Sequence, residues 1–208
     1  MNTSQFLAEE GIGDWRMLFD GAYTCFRTGS LAAGAALVAA IAAVDGAEAA
    51  DLDLRARTVT VRLPVIDFSL PDSHPDLARR ISAAAASLGV PADPTAAQVV
   101  QVSIDALVGE KVMPFWAAVL GYDQAGEEDV LDPQRRGPGF WFQVMDAPRP
   151  QRNRIHVDVC VPPEVAQARV AAGLAAGGTL LRDNAPTHWG LADPEGNEVD
   201  IATMLGRD

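Results

Sequence analysis

The stretch NRIHVDVCV, residues 153–161, alternates without a break. Ile155, Val157, Val159 and Val161 fall on one side, and His156, Asp158 and Cys160 on the other. Spacing of period two predicts a half-buried strand, one face in a core and a polar row on the other. The same rhythm recurs at VVQVSIDAL (99–107), GFWFQVM (139–145) and NEVDIATM (197–204). There Gln101, Ser103 and Asp105 oppose Val100, Val102 and Ile104. Gln143, with Trp141 and Met145, opposes Phe140, Phe142 and Val144, while Glu198 and Asp200 oppose Val199 and Ile201.

Helical segments separate these strands. EKVMPFWAAVLGY (110–122) and PEVAQARVAAGLAAGG (163–178) each end at glycine, a common helix stop. Each follows one alternating strand and precedes short β segments, EEDVLD and GFWFQVM in one copy, GTLLRD, HWGLAD and NEVDIATM in the other. The order is βαβββ, twice, an internal repeat across residues 98–208.

The first half reads differently. RMLFDGAYTCFRTG (16–29) has strand composition, and SLAAGAALVAAIAAVDG (30–46) predicts a helix with Ser30 as N-cap and Gly46 as its stop. ADLDLRARTVTVRLPV (50–65) puts Leu52 and Leu54, then Val59, Val61 and Leu63, on one face of an antiparallel pair. PDSHPDLARRISAAAASLGV (71–90) predicts a second helix. PADPTAA (91–97) reads as a linker, so domains are expected at 1–92 and 98–208. The expected class is α+β: an N-terminal antiparallel sheet with helices on one face, then the paired βαβββ modules.

Charge narrows the partners. A formal net charge of −12 argues against nucleic acid and anionic membranes, both of which repel it. The longest apolar run, LAAGAALVAAIAAV (31–44), is shorter than the roughly 20 residues a bilayer span needs. Cys25 and Cys160 are too few for a disulfide framework, and no export signal is visible, so a reducing cytoplasm is the expected compartment.

FWAAVLGY (115–122), NRIHVDV (153–159) and DPEGNEVDI (193–201) carry a resemblance to the vicinal oxygen chelate superfamily, the glyoxalase/bleomycin resistance/dioxygenase fold. The Asp-Pro-x-Gly-Asn turn suits a tight connection, because Pro presets φ while Gly and Asn tolerate positive φ. The first half resembles pterin-4a-carbinolamine dehydratase in the order of FRTGSLAAGAALVAAIAAV, DLDLRARTVTVRLPVIDFSL and LARRIS. That family's signature is His-His-Pro-Asp with a later His; here Glu48-Ala49-Ala50-Asp51 and Ile66 stand instead, and only Asp51 matches. Dehydration needs proton transfer near neutral pH, which Ala and Ile cannot supply, so the first half is expected to be a degenerate dehydratase-like domain serving as a scaffold, a dimerisation element or a repurposed pocket. His74-Pro75-Asp76 falls on the opening turn of a helix, where it reads as a capping segment.

The superfamily resemblance implies a half-open β cup into which one side chain from each of four strands points. Many members hold a divalent metal there with His or Gln, Glu, His and Glu. The corresponding residues are Gln101, Gln143, His156 and Asp200. One imidazole, one carboxylate and two amides make a weak metal set, since a carboxamide oxygen is a poor ligand. Three readings stay open: a metal site on these four, a metal-free pocket for an organic ligand, and a satisfied interior His156. As an enzyme, the chain would use His156 and Asp200 as its catalytic pair, with Gln101, Gln143, Trp141, Asp158 and Trp189 lining the ligand. Asp158 has the alternative of pairing with Arg152 or Arg154, and Cys160 reads as a small buried filler. PRPQRNR (148–154) reads as a solvated intermodule linker. The residues do not fix a cofactor, and a divalent metal is the one the resemblance brings into question.

These readings lead to a small-molecule binder, with lyase or isomerase chemistry or with none, the latter a sequestration or resistance protein. A ring-cleaving dioxygenase is disfavoured, because the set lacks two His and one Glu for iron. A homodimer is expected, as members of this class often complete their cups across an interface.

Overall fold

The computed structural model describes residues 1–66, 69–148, 156–161, 163–203 and 205; the side chain of Cys160 lies outside that description. The chain divides into two compact units, Met1–Val99 and Val100–Asp208.

In the first unit, β1 (Arg16–Leu18), β2 (Gly21–Arg27), β3 (Asp51–Leu54) and β4 (Thr58–Pro64) form an antiparallel sheet in the order β1-β2-β4-β3. A short α1 (Thr3–Leu7) precedes them, with α2 (Leu31–Ala42) and α3 (His74–Ser87) in the sequence positions expected. Leu37, Ile41, Leu77 and Ile81 from the helices bury with Ala22, Phe26, Val59, Val61 and Leu63 in one core. The Ser30 side chain caps α2 by accepting from the Ala33 amide. The helix ends at Ala42, four residues before Gly46, whose φ of 84° serves a following turn instead.

The opposite face of this sheet carries a polar row. Arg16, Tyr23, Arg62 and Asp51 are register partners across β1, β2, β4 and β3. Arg62 is buried and donates to Asp51 through Nε and Nη2, and to Asp20 through Nη1 at 2.6 Å. The Tyr23 hydroxyl donates to Asp20 at 2.8 Å.

The second unit is two copies of βαβββ. The first module comprises β5 (Gln101–Ala106), α4 (Gly109–Leu120), β6 (Asp123–Ala125), β7 (Asp129–Leu131) and β8 (Gly139–Val144). The second comprises β9 (Val157–Cys160), α5 (Pro163–Ala175), β10 (Thr179–Asn184), β11 (His188–Ala192) and β12 (Glu198–Ala202). Each makes its own sheet, β5-β8-β7-β6 and β10-β11-β12-β9, with the first and last strands of the module parallel neighbours. Strand β6 is not among the sequence-predicted segments: DQA has none of the apolar alternation that marks a strand.

One core serves both modules. Trp116, Val119, Phe140 and Phe142 of the first bury with Val170, Leu191, Val199 and Ile201 of the second. The Trp116 ring stacks on Phe140 with centroids 5.6 Å apart. At the helix contact, a Cβ on Gly173 of α5 would lie 2.6 Å from Val119 of α4, so close approach requires glycine there. The architecture is α+β, an antiparallel sheet followed by paired βαβββ modules. Among the described residues, no helix is long and apolar enough to cross a membrane.

Candidate functional site

The polar row predicted on β9 exists. Val157 and Val159 pack toward the core, while His156 and Asp158 are exposed on the other side. Ile155, Arg152, Arg154 and the rest of 149–155 lie outside the described residues, as does the Cys160 side chain. The parallel pairing of β9 with β12 sets Asp158 directly beside Asp200. His156 Nε2 lies 3.2 Å from Asp158 Oδ1 and 3.9 Å from Asp200 Oδ2. One ligand atom from each of the three falls within 4.8 Å of the others.

A fourth side chain enters from β10. Arg182 Nη2 donates to Glu198 Oε2 at 2.9 Å and to Asp200 Oδ1 at 3.3 Å. Two local features bring it there. The pairing of β10 with β11 runs Leu180↔Leu191 and then Arg182↔Gly190, so Leu181 is an extra residue in a bulge. In unbroken alternation Arg182 would share the face of Leu180 and its partner Leu191; the bulge turns it to the polar face, opposite Gly190. Gly190 then lies between Arg182 and Asp200 in the same row, and a Cβ there would sit 2.8 Å from Arg182 Nε. Glycine leaves the guanidinium room to cross β11. Its hydrogen bonds, to Glu198 first and then Asp200, raise the pKa of this arginine. Nε and Nη1 have no partner among the described residues.

Arg182 was not among the sequence candidates, and no sequence signal reveals it, because a bulge has no signature in LLRD. Glu198 shares the face of Asp200 in the sequence pattern and joins the same arginine in space.

The first module does not match this cluster. Gln143 is exposed near the end of β8, beside Asp105. Gln101 begins β5 and pairs with Gly139, and its amide donates to Asp129 at 3.4 Å. Gln101 and Gln143 therefore stand four residues apart in register, about 13 Å along the strands. The residue that stands to Gln143 as His156 stands to Asp200, two before the paired residue, is Ser103. Trp141 is half-buried on the polar side and donates to Glu128 at 3.0 Å. Burial, with the charge of Glu128 adding, raises the pKa of neighbouring Asp129.

Trp189, expected to line the ligand, is a core residue: it pairs with Ile201 and is 5% exposed. In β11 the inward phase belongs to Trp189 and Leu191, and the polar phase to His188 and Gly190. His188 is tied to Asn184, with nitrogens 2.9 Å apart.

The divalent ion that the resemblance implies needs donors converging on one point. Gln101 and Gln143 cannot both reach one, given their separation, and both are amides. His156, Asp158 and Asp200 come together, but Asp200 already shares an oxygen with a guanidinium. A dication placed there would meet a fixed positive charge beside one of its three donors. The residues present do not fit the four-ligand metal site. They fit a polar molecule better, offering imidazole and guanidinium nitrogens beside three carboxylates.

The DPEGN turn has a structural task. Asp193, 3% exposed, accepts from the Glu195 and Asn197 amides, from Asn197 Nδ2 and from Trp116 Nε1 of the other module at 3.0 Å. The Glu195 carboxylate accepts from the Leu107 and Val108 amides, at 2.6 and 2.8 Å, where β5 gives way to α4. The turn thus clamps one module to the other.

The chain was compared with known families and structures. Residues 101–202 match the family model described as a glyoxalase-like domain. No curated protein matches the chain. Among solved structures, a glyoxalase/bleomycin resistance protein/dioxygenase family enzyme from Burkholderia phytofirmans PsJN is 20% identical, covers 52% of this chain and 100% of its own, and has a TM-score of 0.44. A glyoxalase-related enzyme from Fulvimarina pelagi is 22% identical over 51% of this chain and 87% of its own, with a TM-score of 0.39. A fosfomycin resistance protein from Mesorhizobium loti is 7% identical over 50% of this chain and 90% of its own, with a TM-score of 0.41. The part of the second unit from 101 to 202 is therefore a glyoxalase-like domain.

Proposed function

We propose that the glyoxalase-like domain binds a small polar organic molecule on the face where His156, Asp158, Arg182 and Asp200 meet. The observation that carries this reading is the convergence of those four side chains from three strands, with guanidinium donors left unused. A ligand bearing both a hydrogen-bond acceptor and a donor would bridge Arg182 or His156 to a carboxylate. Where a reaction follows, His156 is the group suited to move a proton and Asp200 the one suited to orient it, giving lyase- or isomerase-type chemistry. Without a reaction, the same face serves sequestration. Gln101, Gln143 and Trp141 belong to the other module and are secondary in this reading, and Trp189 drops out.

The first unit is proposed to be a scaffold of degenerate dehydratase-like type, supported by its order of strands and helices. Its one matching residue, Asp51, is held by Arg62 rather than standing free as an acid or base. A cytoplasmic homodimer completes the proposal.

The test is native mass spectrometry of the purified chain for a co-purified molecule, followed by calorimetric titration of whatever is found. Loss of binding of about tenfold or more is expected for His156→Ala and for Asp200→Asn, the range for removing a charged hydrogen-bonding partner. Unchanged binding in both variants would remove this face from consideration. Following the bound molecule by NMR over time separates turnover from sequestration.

A further inference from the structure

We propose that Arg182 is a resident counter-cation that takes the place of a metal ion in this domain, delivered by the Leu181 bulge and the bare backbone of Gly190. The proposal deepens the reading above, since it concerns the cation selectivity of the same cluster. Asp158 and Asp200 lie within 4 Å of His156, Glu198 shares Arg182 with Asp200, and such a set of three carboxylates attracts cations. The chain supplies one itself. Arg182 binds two of the three carboxylates with a single nitrogen, from the face that the bulge gives it and across Gly190, where a Cβ would lie 2.8 Å from its Nε. Two independent backbone features serve one contact. A divalent ion bound by His156, Asp158 and Asp200 would have to tolerate or displace this guanidinium. A unit positive charge within several ångströms of a dication costs about a factor of ten in affinity even in a water-like medium. Arg182 therefore selects against divalent metals and leaves the imidazole and carboxylates to an organic partner.

The experiment is calorimetric titration of the full chain with Zn²⁺ and Mn²⁺ salts, alongside Co²⁺ titration followed by visible absorption. Arg182→Gln, which keeps a hydrogen-bonding amide but removes the charge, should bind these ions about tenfold more tightly than the unaltered chain. Arg182→Lys should stay near the unaltered chain. Gly190→Ala, which retains the arginine but crowds it away, should gain affinity in the same direction by a smaller factor. Adding His156→Ala to Arg182→Gln should abolish the gain, and the ligand-field band of bound Co²⁺ should vanish with it. The proposal is overturned if Arg182→Gln binds no more tightly than the unaltered chain, or if the gain survives loss of His156. Circular dichroism of each variant identifies any that does not fold, and Arg182→Lys and Gly190→Ala then carry the comparison. Failure of the organic-ligand search leaves these titrations unaffected, and a failed metal result leaves the organic-ligand search standing.

Discussion

Two arginines each reach across a sheet to a pair of carboxylates, Arg62 in the first unit and Arg182 in the second. Arg62 spends all three of its nitrogens on Asp20 and Asp51, and its side chain is 9% exposed. Among the described residues Arg182 uses only Nη2, and its side chain is 37% exposed. The first is a saturated internal staple. The second is open, with donors to spare and an imidazole beside its carboxylates. Residue types alone do not distinguish them; the number of unmet hydrogen-bonding groups does.

The largest expected effect tests that contrast directly. Arg62→Met takes the counter-charge from Asp20 and Asp51, whose side chains are 24% and 62% exposed, and should cost about 3 kcal/mol of stability, the upper range for hydrogen bonds to charged groups. Burial works against the Arg62 charge, yet the Asp51 hydrogen bonds and both aspartate charges outweigh it and hold its pKa high. Arg182→Met, exposed and solvent-screened, should change stability by less than about 1 kcal/mol. Urea denaturation of the two variants is the measurement. Equal costs would make Arg182 a second staple and take away the basis for assigning a site to it.

Next in size is the Asp193 hub, which shows the staple logic at work inside the second unit. Asp193→Ala strips an acceptor from the buried Trp116 indole and from three further donors, and should cost about 2–3 kcal/mol by leaving that N–H unsatisfied. Among the described residues Asp132, the aspartate of the other module's Asp-Pro turn, accepts only from the backbone amides of Gln134, Arg136 and Gly137 in its own loop. Its replacement by Ala should cost about 1 kcal/mol. Parallel denaturation curves compare the two. A reversed order would mean that the modules are not clamped through the DPEGN turn.

Much of this was legible in the chain and some was not, for identifiable reasons. The βαβββ repeat, the polar row at His156 and Asp158, and the face of Asp200 follow from period-two alternation, which a core on one side enforces. The pairing of a parallel neighbour is not local information, so nothing in VVQVSIDAL shows that Asp105, rather than Gln101, lies beside Gln143. Arg182 was hidden by a one-residue bulge that inverts the phase after Leu180. Trp189 misled because an aromatic at a polar-looking position, HWG, invites a ligand reading, while its register partner Ile201 puts it in the core. DPEGN was legible as a turn but not as a clamp, since its partners Trp116, Leu107 and Val108 are distant in sequence.

A smaller effect ties the first unit to pH. His74 is 2% exposed in the first unit, and its Nδ1 has no hydrogen-bond partner. Burial, and then the nearby Met1 ammonium, lower its pKa. The unfolded chain therefore binds a proton near the ordinary histidine value of about 6.5 that the folded chain refuses. Stability should be at full strength above about 6.5 and fall as the pH drops through the lower folded value. His74→Phe should flatten that slope in urea midpoints measured across the window. A slope that survives His74→Phe would mean that this buried imidazole is not what couples the first unit to pH.

The smallest effect probes whether the Tyr23 hydroxyl beside Arg62 is closed to water. The chain has two tyrosines, Tyr23 and Tyr122, and both have raised pKa values. For Tyr23 burial dominates, with the hydrogen bond to Asp20 next; for Tyr122 burial is followed by the charge of Asp132. A raised folded pKa contributes stability that is complete below the ordinary value of about 10 and is lost as pH rises through the folded value. Phenolate absorbance should therefore appear as one steep step, together with loss of far-ultraviolet circular dichroism, rather than as a gradual titration near 10. Tyr23→Phe should halve the step and lower stability by about 1 kcal/mol, the size of one hydrogen bond. A gradual titration of Tyr23 while the fold persists would show water reaching the Tyr23 hydroxyl and the Arg62 guanidinium beside it. The two arginines would then differ only in degree, and unmet donors at Arg182 would no longer single out a site.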